Sequence, residues 1–168
     1  MIKRAQEFAT EAHEGQVRKY TGEPISKKDL EKIVDAGRLA ATGGNQQPWD
    51  FIVVTDRAMI ERLKVAAEWM DKAAAIIAVV MDPSSRWWVE DGSAAVENML
   101  IASTALEYGS CWLEGYTLPH EEEFKQLLDV PKGKRLLTLI PIGVPVAEPT
   151  GEKKKKKPLQ EVLHWERY

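Results

Sequence analysis

Residues 73–81 read AAAIIAVVM, an uncharged apolar run between Asp71-Lys72 and Asp82-Pro83-Ser84-Ser85. A short run closed by a turn reads as a strand buried on both faces, although periodicity alone leaves a helix open. It is far shorter than the roughly 20 residues that cross a bilayer. Three more strand-like stretches surround it: Phe51–Thr55 (FIVVT), Ser110–Tyr116 and Arg135–Gly143 (RLLTLIPIG). Helical spacing fills the intervals at 57–69, 90–108 and 119–128. Upstream, residues 2–13 read as a short helix, and Ser26 reads as the cap of another with Asp29 at its third position. That second helix carries Leu30, Ile33, Val34 and Gly37 and ends in Ala41-Thr42-Gly43-Gly44-Asn45. Few strands for this helical mass predict an α+β fold, a mixed sheet flanked by helices.

The 168 residues suit one domain, spanning 1–168, and bury enough surface to fold without disulfides. A single cysteine excludes an intrachain disulfide and a cysteine-based zinc cage. Net charge is −3, which argues against a general nucleic-acid binder. With no secretory pattern at Met1-Ile2-Lys3-Arg4 and no membrane-spanning run, a cytoplasmic protein is expected.

The helix at 90–108 lines one face with Ala94, Ala95, Asn98, Met99, Ala102 and Leu106. Small residues there admit another backbone, or a flat ligand, at close range. Residues 145–168 form a tail with an unusual order. Five lysines, Lys153–Lys157, precede Pro158, and apolar Leu159, Val162, Leu163 and Trp165 follow. An apolar segment beyond a charged linker is expected to dock, either on its own core or around a second subunit.

Several chemistries lack their residues. There is no GxGxxG after a strand, no GxxxxGK[ST], no GxSxG and no HExxH. His13, His120 and His164 stand isolated, so no metal site and no catalytic side chain is predicted. An enzyme built from this chain would lean on an organic cofactor.

Four segments carry a resemblance. VRKYTGEPISKKDLEKIVDAGRLAATGGNQQPWDFIVV (17–54), AAVENMLIASTALEYGSCWLEGY (94–116), LLTLIPIGVPVAEP (136–149) and KKPLQEVLHWERY (156–168) resemble the FMN-dependent nitroreductase family. The resemblance implies a mainly antiparallel sheet flanked by helices, with an arm at 145–168 that embraces a dimer partner. It also implies a homodimer with FMN at the subunit interface. NAD(P)H and a small-molecule electron acceptor, such as a nitroaromatic or quinone, would react in turn by ping-pong hydride transfer.

The resemblance assigns roles by position. Arg18 falls near the flavin pyrimidine edge, where a cation favours the reduced ring. The loop of Gly43, Asn45 and Gln47 reaches the flavin from the partner subunit, with amides suited to O4, N3 and O2. The turn at Glu114 and Gly115 brings backbone N–H groups to N5 and O4. Lys154 and Lys156 face the phosphate. Each stretch has a plainer reading as well: a solvated arginine, a helix end followed by a core Trp49, an ordinary turn, and a solvated lysine block. Cys111 reads as a small buried residue. Trp87 and Trp88 suit a substrate wall, an interface or the core.

The chain departs from the family at Glu14-Gly15-Gln16, where a basic pair and a serine usually serve the phosphate. Gln16 retains a donor, but Glu14 repels an anion. This motivates a rival reading: a dimer that binds flavin or another small ligand without catalysis. Ala41 replaces a frequent proline, and the flavin lid shrinks to 82–90. Residues 5–24 (AQEFATEAHEGQVRKYTGEP) also resemble the opening of HD-type hydrolases of ppGpp. The chain contains no His-Asp dyad, so that hydrolysis is not expected.

Overall fold

The computed structural model describes residues 19–146 and 156–168. The helix expected at 2–13, and Gln16, Arg18 and Lys154, lie outside the described residues.

Strand β2 (Ala75–Met81) is buried at every position, as the run at 73–81 predicts. It pairs antiparallel with β1 (Trp49–Val54) on one side and β4 (Arg135–Gly143) on the other. The short strand β3 (Gly109–Ser110) pairs antiparallel with β4, giving the order β1-β2-β4-β3. The expected mixed sheet is thus antiparallel at every described pairing.

Alternation along β2 divides the core in two. Ile76, Ala78 and Val80 face one cluster, with Ile60, Leu63, Met70 and Phe124. Ile77, Val79 and Met81 face the other, with Ile33, Ala95, Met99 and Leu100. The first face is covered by α2 (Arg57–Leu63) and α5 (Glu121–Leu127). The second is covered by α1 (Lys27–Arg38) and α3 (Trp88–Ala105). A register shift between Val79 and Val80 sends Leu136 and Leu139 to the first cluster while Leu137 joins the second.

Helix α1 begins as its residues predict. The Asp29 amide donates to the Ser26 hydroxyl, which donates back to the Asp29 carboxylate at 2.9 Å. Lys32 and Ser26 hold the Asp29 carboxyl at about 2, and the Tyr108 hydroxyl adds a third hydrogen bond. Gly37 lets α1 approach α3: a Cβ there would sit 2.9 Å from Met99 Cγ. Asn98 also donates to the Ala36 carbonyl across this contact.

Two expected elements differ. The helix predicted for 57–69 stops at Leu63, then breaks into 3-10 turns at Lys64–Ala66 and Glu68–Lys72. Ala67 is extended between them (φ −163°), and the break turns Ala66 and Met70 into the core. Of the strand predicted for 110–116 only Ser110 lies in β3, and Glu114–Thr117 coils into a helical turn, α4. Cys111 and Trp49 are buried, as expected of core residues. No described helix is long and apolar enough to cross a membrane.

Tyr20 packs on the carboxyl-terminal end of β4. Its segment bridges to Pro145, its hydroxyl donates to the Pro141 carbonyl, and its ring fills the space over Gly143. Residues 156–168 do not cap this core, because every one of them is exposed.

Arg135 opens β4 and donates two hydrogen bonds to Glu121, at 2.7 and 2.9 Å. The Leu136 amide donates to the same carboxylate. Arg135 therefore holds the Glu121 carboxyl below its ordinary value, against the opposing effect of burial. The stability from this lowered pKa is present above the unfolded-state value of about 4.3 and fades as pH falls through the folded-state value. Glu121→Gln is expected to destabilise the fold by about 1–3 kcal/mol at pH 7. Urea titrations at descending pH should show that deficit shrinking in acid.

Candidate functional site

The predicted site residues that are described fall in three places. Gly43, Asn45 and Gln47 share the loop before β1. Glu114 and Gly115 share the turn after β3. Lys156 lies in the exposed carboxyl-terminal segment.

The loop before β1 is a compact turn with unusual backbone. Gly44 (φ 60°), Asn45 (φ 56°) and Gln47 (φ 49°) are all left-handed. Asparagine tolerates this region better than most side chains, and glycine tolerates it freely. Internal hydrogen bonds hold the shape. The Asn45 amide donates to the Thr42 carbonyl, and the Gln47 amide donates to the Thr42 hydroxyl. The Gln47 side-chain amide donates to the Asn45 carbonyl and to the Asn45 side-chain oxygen. Both amide side chains are exposed, so neither is consumed by the core.

The start of the loop is fastened to the body. The Gly43 amide donates to Asp91 Oδ1 at 3.0 Å. The Trp87 indole lies against Gly43 so closely that a Cβ there would fall 2.3 Å from Cε3. Asp91 and Trp87 are thus partners of the loop that the sequence reading did not assign to it. Asp91 stands near the start of the predicted helix, next to Gly92 and on the buried face. Its distance of 48 positions from Gly43 leaves no sequence signal for this contact.

The turn after β3 is fastened through Thr117. Its hydroxyl donates to the Leu113 carbonyl at 2.6 Å and accepts from the Leu139 amide at 3.2 Å. The Leu113 amide donates to the Leu139 carbonyl. These bonds explain why the chain coils here instead of continuing β3. Beside them, Gly115 is open: a Cβ there would meet nothing within 4 Å. The backbone at Gly115 therefore presents a bare surface on which a flat group can rest.

Loop and turn lie at opposite edges of the sheet. The loop runs into β1 and the turn follows β3, the two outer strands. Three strand spacings separate those edges, about 14 Å. The loop is at the Trp49–Met81–Arg135 end, and the turn, bonded to Leu139, lies about midway along β4.

The hollows open among the described residues include a polar and an apolar one. A polar one of about 410 Å³ includes Gln46, Gln47, Asp82, Ser84, Ser85 and Lys134. An apolar groove of about 540 Å³ runs between α1 and β1, past Ile25, Leu30, Val34 and Val53. Only Gln47 among the predicted residues borders either one.

The residues fit a flavin in kind. Exposed amides suit a pyrimidine edge, an open glycine turn suits a planar ring, and lysines suit a phosphate.

Comparison with known proteins finds relatives of both the sequence and the fold. A family model described as the nitroreductase family matches residues 16–75 and 61–144. A protein of Archaeoglobus fulgidus named "Putative NADH dehydrogenase/NAD(P)H nitroreductase" is 40% identical over 143 residues, covering 79% of this chain and 81% of that one. A crystal structure of a protein of the same name from Parabacteroides distasonis superposes with a TM-score of 0.83 at 29% identity, covering 95% of this chain and 98% of the other. The FMN-dependent nitroreductase of Clostridium difficile shares the fold, with a TM-score of 0.81 at 23% identity over 95% of this chain and 99% of that one.

Thr117→Val keeps the shape of the side chain and removes both of its hydrogen bonds. It is expected to cost about 1–3 kcal/mol, because the Leu139 amide is left buried without an acceptor. Denaturant titration checks the cost, and amide exchange at Leu139 should accelerate in the variant.

Proposed function

We propose that this chain, which belongs to the nitroreductase family, works as an FMN-dependent NAD(P)H oxidoreductase in the form of a homodimer. The observation that carries the reading is the separation of two flavin-suited surfaces. The amide loop and the open Gly115 turn stand at opposite edges of one sheet. A second copy would bring its loop to the first copy's turn, completing one site at each side of the dimer.

The carboxyl-terminal arm supports the same assembly. Leu159, Val162, Leu163, Trp165 and Tyr168 are exposed on the single chain. Such a cluster is stable in water when a second subunit covers it. In this reading the body and arm form one domain, and the arm at 145–168 embraces the partner.

Each residue then has a task. Asn45 and Gln47 hold the pyrimidine edge from one subunit. The backbone at Glu114 and Gly115 supports the ring from the other. Arg18 stabilises negative charge on the reduced ring, and Gln16, Lys154 and Lys156 hold the phosphate. When bound, FMN supplies a centre that takes and gives hydride, so NAD(P)H and an acceptor such as a nitroaromatic or quinone can react in turn. The reduced lid at 82–90 suits an open pocket that accepts acceptors of varied shape. No side chain of the protein needs to act as an acid or base.

The purified protein should be yellow, with absorption near about 370 and 450 nm that bleaches when NADH is added. Steady oxidation of NADH with menadione distinguishes an enzyme from a flavin-binding dimer without catalysis. Protein that stays colourless with added FMN would overturn the proposal. Removing residues 158–168 should convert an assembly of twice the 18.9 kDa chain mass into monomer and release the flavin. Light scattering and absorbance on the same sample check both effects.

A further inference from the structure

The amide loop cannot choose its own place on the protein. Its hydrogen bonds among Thr42, Asn45 and Gln47 fix its shape, but all of them lie within the loop. Its left-handed Gln47 is a conformation that side chains other than asparagine rarely adopt, and Asn45 shares it. A turn of this kind relaxes unless its ends are held. After the loop, the Asp82 amide donates to the Pro48 carbonyl at 2.7 Å and fastens the exit to β2. Before it, two contacts from the start of α3 fasten Gly43. Asp91 Oδ1 accepts the Gly43 N–H, and the Trp87 ring occupies the space that a Cβ would need.

Asp91 is unusual for a residue whose visible work is one hydrogen bond. It is 5% exposed, and its Oδ2 is buried without a hydrogen-bond partner. Core packing alone is better served by an apolar residue, since desolvating a carboxylate is costly. Its position in the first turn of the 18-residue helix α3 offsets part of that cost through the positive end of the helix dipole. In return, its Oδ1 accepts the Gly43 N–H at 3.0 Å.

We infer that Asp91 is a positioning residue for the flavin site: with Trp87 it clamps Gly43 and so sets where Asn45 and Gln47 present their amides. The inference rests on the flavin reading above and names a residue that acts through others. Asp91 does not touch the flavin. Its effect reaches the cofactor through the backbone of residues 43–47.

Two variants separate positioning from simple support of the fold. Asp91→Asn keeps an oxygen in place to accept the Gly43 N–H. Asp91→Ala removes the acceptor. FMN affinity, measured by quenching of flavin fluorescence, should fall about tenfold in Asp91→Ala and by no more than about threefold in Asp91→Asn. Amide exchange in flavin-free protein should quicken at Gly43 and Asn45 in Asp91→Ala, with Asp91→Asn close to the native protein. Gly43→Ala attacks the clamp from its other side, where the half-exposed Trp87 ring can give way, and it should also weaken FMN binding. This variant decides the matter if Asp91→Ala does not fold. Unchanged FMN affinity in Asp91→Ala and Gly43→Ala, or Gly43 exchange unaffected by loss of the carboxylate, would overturn the assignment. Failure of the native protein itself to take up FMN would sink the flavin reading, while faster Gly43 exchange in Asp91→Ala would still uphold the clamp.

Discussion

Burial of β2 on both faces is the constraint from which the rest of the architecture follows. Each residue from Ala75 to Met81 is removed from water. A strand in that position needs a strand on either side and a layer of helices above and below. β1 and β4 satisfy its backbone. Helices α1 and α3 close one face, while α2 and α5 close the other. Placing β2 inside pushes β1 and β3 to the outer positions, and with them the loop before one and the turn after the other.

The surfaces suited to a cofactor are therefore far apart by construction. Each is built where the regular structure ends, and each is tied to the body by a buried side chain with a polar tip. Thr117 bridges the turn to β4. Asp91 bridges α3 to the loop. Regular elements thus hold irregular backbone in place. On the proposed reading, the same separation makes each chain one half of a shared site.

Much of this was legible in the residues. Apolar runs located β2 and β4, and the Ser26–Asp29 pair located the start of α1. Gly43 to Trp49 and the arm after Pro158 carried enough specificity to suggest the family. Other features were not legible, for physical reasons. The predicted strand at 110–116 has strand-like content, yet the Thr117 hydroxyl captures Leu113 and Leu139 and curls the chain. That competition depends on β4, more than 20 residues away in sequence. Similarly, the periodic pattern at 57–69 hides the extended Ala67, because the helix must bend to deliver Met70 to the core. The bond from Gly43 to Asp91 spans 48 positions and leaves no local pattern.

The amino-acid order by itself determined which segments must leave water, where the principal helices begin and which backbone positions tolerate glycine-like geometry, since these depend on near neighbours in the chain. Only the tertiary structure decided that the amide loop and the open turn occupy opposite edges, and that Asp91, Trp87 and Thr117 hold them there. Those facts depend on which strands become neighbours, and strand order follows from how all the apolar faces are covered at once.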